Sequence, residues 1–265
     1  MGEFREMTRT VGIVVPAYRP DVSVLADYLD DLDRELDPET IRVELDSPTP
    51  STLKALRGTP ATINSVDNRR GKGAAITAGF EALTEDVLVF VDADGSTPAK
   101  SILAVVDRVK NGEYDFAVGS RRHPQADVRS HQTVLRQHLG DAFAWIARRL
   151  LDPDLRDYQC GAKAMTRETW LAIRTHLYEP GFAWDVEAIA MADALGFDIG
   201  EVPVTWIDHP DSTVTTTRAV PELLRALFAA RRRAAVLRGG VDAGTQSATG
   251  STTPTEERPL VERER

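Results

Sequence analysis

The stretch Val87-Leu-Val-Phe-Val-Asp-Ala-Asp-Gly-Ser-Thr-Pro98 decides how this chain folds. Its first five residues are an unbroken apolar run of strand length, the pattern of a strand buried on both faces. Asp92-Ala93-Asp94 follows, then Gly95, Ser96, Thr97 and Pro98, which are turn and helix-start residues. Two carboxylates thus stand at the carboxyl end of a buried strand, where open α/β sheets take their ligands. On a regular strand, Asp92 and Asp94 lie on the same face, two residues apart. At a turning strand end both can reach one cation or its bound water. Oxygen ligands of this kind suit Mg²⁺ or Mn²⁺, with substrate phosphates completing the shell. Taken alone, an Asp-x-Asp is more often a solvated turn than a metal site, so the neighbouring segments carry weight.

Working outward, the same strand-then-helix alternation recurs. Before the central stretch, Ala61–Val66 reads as a strand, Asp67-Asn-Arg-Arg-Gly-Lys-Gly73 as a turn, and Ala74–Leu83 as a helix. Earlier still, Val11–Val15 is an apolar strand closed by Pro16. Leu25, Tyr28, Leu29, Leu32 and Leu36 then recur at helical spacing. Ile41–Asp46 is a second strand ending on an acid, and Ser51–Leu56 a short helix. After the centre, Ile102–Val109 is helical and Phe116–Arg121 is a strand running into a basic turn. The alternation predicts an α/β fold with a mostly parallel sheet flanked by helices.

The second half is less regular. Val134–Leu151 carries an apolar helical stripe, Asp157-Tyr-Gln-Cys-Gly161 is a polar turn, and Thr169–Leu177 and Trp184–Leu195 read as helices. Ile199–Ile207 reads as one strand, and Pro221–Arg238 as a helix with proline at a permitted first position. The expected organisation is a flexible leader (1–10), one domain (11–218), a basic amphipathic helix (219–238) and a disordered tail (239–265) rich in Thr, Ser, Gly and charge.

A net charge of −9 argues against a general nucleic-acid binder. The single cysteine, Cys160, excludes an internal disulfide and suits a reducing cytoplasm. No apolar run approaches bilayer length, so the expected location is cytoplasmic, at most on a membrane surface. Leu223, Leu224, Leu227 and Phe228 followed by Arg231-Arg-Arg233 could lie on an anionic membrane, or could pack on the domain with a solvated basic end.

Several motifs stand in a fixed order: Val14-Val-Pro-Ala-Tyr18, a strand ending at Asp46, Gly71-Lys-Gly-Ala-Ala75, Asp92-Ala-Asp94, Gly119-Ser-Arg121, Asp157-Tyr-Gln-Cys-Gly161, Trp184-Asp-Val-Glu187, Glu201-Val-Pro203 and Asp208 to Ser212. The series resembles the family 2 glycosyltransferases of GT-A fold. Within them it is most similar to the dolichyl-phosphate mannose and glucose synthases and their archaeal relatives.

The resemblance implies transfer of a hexose from a GDP- or UDP-linked sugar to a polyprenyl (dolichyl) phosphate, with Mg²⁺ or Mn²⁺ and inversion at the anomeric carbon. It implies that Pro16, Ala17 and Tyr18 line the base pocket, that Asp46 holds the base or ribose, and that Lys72 lies near the nucleotide. Asp92, Ala93 and Asp94 would meet the ribose and the metal-bound diphosphate, with Ser96 at a position where the family often has a metal-binding Gln. Arg121 and Arg136 would bind the acceptor phosphate, and Glu187 would lie near the sugar, with Asp185 a second acid. The plainer alternatives are that Asp46 caps the Ser51 helix, that Glu187 offsets a helix dipole, and that Cys160 belongs to the core. The chain departs from the pattern at Arg19-Pro20, Leu45, Ser96, Gly140 and Thr213. Two rival expectations stand beside this one: a soluble hydroxyl acceptor, served by Asp185 or Glu187 as base, or, motivated by Leu45, Ser96 and Gly140, a nucleotide-sugar binder with impaired catalysis.

Overall fold

The structure is a computed structural model, and it describes residues 9–129, 143–207, 216–243 and 258–263. The first half builds β1 (Val11–Tyr18), α1 (Val22–Leu36), β2 (Thr40–Asp46), α2 (Pro50–Ala55), β3 (Thr62–Val66), α3 (Lys72–Ala82), β4 (Val87–Val91), α4 (Ala99–Lys110) and β5 (Phe116–Ser120). These are the elements the apolar periodicities predict. Asp21 caps α1, accepting hydrogen bonds from the Ser23 and Val24 amides, and Leu25, Tyr28, Leu29, Leu32 and Leu36 form its buried stripe.

Seven strands form one sheet in the order β3-β2-β1-β4-β7-β5-β8, where β7 is Ala162–Thr166 and β8 is Ile199–Pro203. β7 runs antiparallel to both neighbours, and the other six strands run one way. The chain leaves β1 towards β2 and β3, then returns to its other side as β4. The carboxyl ends of β1 and β4 therefore flank the point where strand order reverses, the usual ligand crevice of an open sheet. Successive β1 side chains enter opposite layers. Ile13 and Val15 pack with Leu25, Leu29, Ile102 and Val106, while Val14 packs with Ile76, Phe80, Phe90 and Trp184.

The second half differs from expectation at β7, at the segment after β8 and at α6. β7 has no counterpart in the predicted strands. The predicted strand Ile199–Ile207 is two strands, since Pro203 ends β8 and β9 (Thr205–Ile207) pairs instead with β6 (Asp127–Arg129). The predicted helix Thr169–Leu177 is α6 (Arg167–Ile173), capped by Thr166, followed by a 3₁₀ turn at Arg174–His176. Of the predicted helix Val134–Leu151, the described part is α5 (143–150). α7 (Trp184–Ala194) stands as predicted.

α8 (Thr216–Ala243) is longer than the predicted Pro221–Arg238. Leu227, Ala230 and Ala234 on it are buried in the layer that holds α7, and Leu223, Leu224 and Leu237 pack at its margin. Much of the apolar face that sequence reading could offer to a membrane is thus spent on domain packing. Within the segment expected to be disordered, Leu260–Arg263 forms a short helical turn, α9. Leu260 is buried and its amide donates to the Leu177 carbonyl at 2.8 Å. Of the expected leader, Arg9 and Thr10 are tied down: Arg9 Nη1 donates to the Val109 carbonyl and Thr10 Oγ1 to Asp86.

Candidate active site

The crevice at the ends of β1 and β4 gathers most of the candidate residues. The last strand residue of β4 is Val91, and Asp92 follows it at the edge with 40% of its side chain exposed. Asp94 is exposed, and its Oδ1 accepts the Ser96 amide at 3.0 Å, closing the turn. The Ser96 residue itself is buried, with its carbonyl held by the Ile207 amide.

Room for Asp92 is made by Gly161. The Gly161 carbonyl accepts the Asp92 amide at 3.0 Å, and a β-carbon on Gly161 would lie 1.9 Å from Asp92 Oδ2. Gly161→Ala must therefore push the carboxylate off its position. A displacement of this size at a reacting centre costs about a hundredfold in turnover. We expect that loss from Gly161→Ala with a circular-dichroism spectrum like that of the wild type. Wild-type turnover in the variant would show that the Asp92 position is not critical.

Asp92 Oδ1 lies 2.9 Å from Lys72 Nζ. Lys72 is the first residue of α3, and it is brought there by Gly71, whose φ of +101° few other residues adopt. The Pro180 carbonyl would lie 2.4 Å from a β-carbon on Gly71, and it accepts the Ala74 amide at 3.1 Å. Lys72 Nζ is also 3.4 Å from Asp185 Oδ2. Burial alone would lower the Lys72 ammonium, but Asp185 and Asp92 outweigh it and keep the amine charged. Burial would likewise raise the Asp92 carboxyl, but Lys72, with Lys163 and Arg121 behind it, holds it below the usual range. Asp94 goes the other way: its side chain reaches solvent, but the protein around it partly desolvates the carboxylate and, with the charge of Asp92, raises it.

Asp185 and Glu187 stand in the first turn of α7, fixed there by Trp184. The Trp184 ring meets Phe90 edge-on at 5.5 Å, and its Nε1 donates to Thr77 Oγ1. Asp185 is buried between Lys72 and Lys163. Glu187 is buried too: its Oε2 accepts the Tyr178 and Glu179 amides, both at 2.8 Å, and its Oε1 pairs with Arg233 of α8. Burial raises its carboxyl, against those donors. The acid expected near the sugar is thus the clamp of the 178–181 loop, and more than an offset to the helix dipole.

Asp46 is also a clamp. Its Oδ2 accepts the Arg70 and Gly71 amides at 2.7 and 3.1 Å, and its Oδ1 takes Arg70 Nε at 2.8 Å. Buried Glu44 takes Arg70 Nη2 at 2.9 Å. Asp46 therefore shapes the turn that delivers Lys72. It does not cap α2, a task done by Thr49. Sequence reading missed Glu44 and Arg70, although two acids alternating on one strand face were visible.

At the end of β1, Pro16 and Tyr18 are half-buried and Ala17 is buried. The Tyr18 ring carries the Arg69 guanidinium at 4.2 Å and that of Arg19 at 5.2 Å. Arg121 is held by Asp157, Nε to Oδ2 at 2.7 Å and Nη2 to Oδ1 at 2.9 Å, with the Trp206 ring 5.7 Å from its centre. Burial would raise the Asp157 carboxyl, but Arg121 holds it well below the usual range. Cys160 is fully buried, and burial pushes its thiol up to about 11, which fits a core residue. Arg136 and the segment Asp208 to Ser212 lie outside the described residues.

The open sheet with paired acids beyond its switch point is the arrangement of the GT-A fold. In fold it matches a glucosyl-3-phosphoglycerate synthase from Mycobacterium tuberculosis solved with Mn²⁺, UDP-glucose and phosphoglyceric acid: TM-score 0.67, 19% identity, covering 84% of this chain and 80% of that one. The chain belongs to glycosyl transferase family 2, whose sequence model matches residues 13–172. It is 37% identical over 154 residues to the glycosyltransferase AglD of Haloferax volcanii, covering 58% of this chain and 24% of that protein. It is 32% identical over 164 residues to the dolichyl-phosphate beta-glucosyltransferase of Drosophila melanogaster, covering 60% of this chain and 50% of that protein. The chain thus spans half or less of the length of these relatives.

Proposed function

We propose that this chain moves a hexose from a GDP- or UDP-linked sugar to a polyprenyl phosphate of the dolichyl type. The observation that carries the reading is the Asp92–Asp94 pair at the carboxyl edge of β4, with Lys72 bound to Asp92. The similarity to dolichyl-phosphate beta-glucosyltransferases supports the choice of acceptor.

The residues fit a divalent cation. Asp92 and Asp94 are hard oxygen donors two residues apart at the end of one strand, and the Asp94 side chain is open to solvent. Among the described residues no third His, Cys, Asp or Glu joins them, which leaves coordination places for phosphate oxygens and water. Mg²⁺ or Mn²⁺ held by Asp92 and Asp94, with Ser96 in the same turn, would supply Lewis-acid stabilisation of the departing diphosphate. Lys72 adds a fixed positive charge beside it. Tyr18, with Arg19 and Arg69 against its ring, offers a stacking surface for the base, with Pro16, Ala17 and Ala93 alongside. Asp46 acts on the nucleotide through the turn it holds.

The way the buried acids are used supports a phosphate acceptor. Both oxygens of Asp185 face ammonium groups, and Glu187 is taken up by two amides and Arg233. Neither is placed to draw a proton from a sugar or glycerate hydroxyl. A phosphate monoester has its second pKa at about 6 and is already largely ionised near neutral pH. Arg121, oriented by Asp157, and Arg136 are the residues to receive it. The outer side of α8, with Phe228 and Val236 exposed beside Arg225, Arg231 and Arg232, is the surface to meet an anionic membrane. Among the described residues no helix is long and apolar enough to cross one.

The test is transfer from a panel of UDP- and GDP-sugars with Mn²⁺ or a chelator. The acceptor is polyprenyl phosphate in anionic or neutral liposomes, or a soluble phosphate or sugar. Metal-dependent product on the lipid, faster on anionic liposomes, is expected. Equal turnover with soluble acceptors and no liposomes would overturn the lipid reading.

A further inference from the structure

Lys163 is fully buried in β7, opposite Phe90 of β4. A lysine in the middle of a sheet is costly unless it is paired. Its Nζ donates to the Cys160 carbonyl at 2.7 Å and lies 2.9 Å from Asp185 Oδ1. The other Asp185 oxygen is 3.4 Å from Lys72 Nζ, and Lys72 Nζ is 2.9 Å from Asp92 Oδ1. Both ammonium groups lie against the Phe90 ring, at 5.4 and 5.1 Å from its centre.

We propose that Lys163 is a positioning residue: by holding Asp185 and the Cys160 carbonyl, it sets Lys72 and Gly161 against Asp92 and so fixes the first acid of the pair. The inference rests on the proposed function only in that Asp92 serves the transfer. Two routes run from Lys163 to Asp92. The first is electrostatic. Asp185 is shared by two cations, and with the Lys163 charge 2.9 Å from one of its oxygens, Lys72 leans on Asp92, at the shorter of its two distances. Remove the Lys163 charge and buried Asp185 keeps a single cation, in surroundings where attraction is strong. Lys72 is then drawn to Asp185 and leaves Asp92. The second route is through the backbone. The Cys160 carbonyl held by Lys163 precedes Gly161, whose own carbonyl and missing β-carbon seat Asp92.

The test uses Lys163→Met, which keeps the apolar stem and removes the charge. In its crystal structure, Lys72 Nζ should sit on Asp185 and not on Asp92. Its kcat should fall about a hundredfold, the cost of a misplaced reacting group, with the acceptor KM barely changed. In a Lys72→Met background the same substitution should lose far less, since coupled residues are not additive. Lys163→Met with Asp185→Asn removes the buried lone charge, guards against misfolding, and should return Lys72 to Asp92 and regain most of kcat. Lys72 still on Asp92 in Lys163→Met, or fully additive losses, overturns the proposal. If the wild type shows no transfer with any donor, the functional reading has failed, and the place of Lys72 in the variant's crystal decides this proposal by itself.

Discussion

Asp94→Asn leaves the protein folded and lowers transfer on the order of a thousandfold. A metal at a departing diphosphate supplies several kcal/mol, and each ~1.4 kcal/mol is a factor of ten. The substitution removes one charged ligand and changes the volume little. It also keeps an Oδ1 that can accept the Ser96 amide, so the turn after β4 retains its closing bond. Asp94 is exposed, and its loss opens no cavity. Thermal melting together with transfer at several Mn²⁺ concentrations checks both halves of the expectation. Full activity with unchanged metal dependence would remove Asp94 from the mechanism.

Asp157→Asn is expected to act on stability, by about 3–5 kcal/mol, because it leaves Arg121 without the anion it was folded against. Asp157 is 1% exposed, and besides Arg121 it takes the Gln159 amide at 3.1 Å. The pH dependence has a definite sign. The folded carboxyl is held below its unfolded value, so its contribution is present above the unfolded pKa and is lost as pH falls towards the folded one. The unfolded value is about 3.9. The wild type should therefore lead the variant by the full margin at neutral pH, and the gap should narrow below about pH 4. Urea denaturation across that range measures it. A gap that is constant with pH would mean that the Asp157 charge is not what stabilises.

The first half of the fold was legible because its strands are apolar runs and its helices carry single stripes: Val87–Val91 is buried at every position, and α1 at every predicted one. β7 was hidden by its composition. Ala162-Lys-Ala-Met-Thr166 contains few of the residues that favour strands, and places a lysine where a sheet centre calls for an apolar side chain. It is a strand because neighbours on both sides pair with it, and alanines suit a strand enclosed by helices. The site was legible as a gathering and less so as a division of labour. Lys72, Asp92 and Asp185 do come together. No local pattern says that Asp46 and Glu187 spend their oxygens on backbone amides, because those amides belong to turns 24 residues ahead and 8–9 residues behind.

The antiparallel β7 also fixes an order of assembly. β1, β2, β3 and β4 can pair among themselves from the first 91 residues of the chain. β5 has no such partner within that stretch; it reaches the sheet through β7 and β8, whose residues follow it by some forty or more positions. During synthesis the half-sheet ending in Asp92 must wait with one edge of β4 uncovered, a state in which unpaired strand edges invite wrong partners. Arrival of the segment from Cys160 to Thr166 covers that edge, delivers Gly161 to the Asp92 amide and brings Lys163 to Phe90 in the same event. The backbone of Asp92 is thus seated only when the sheet closes, whereas Asp94, held by the Ser96 amide, takes its place with the turn that follows β4.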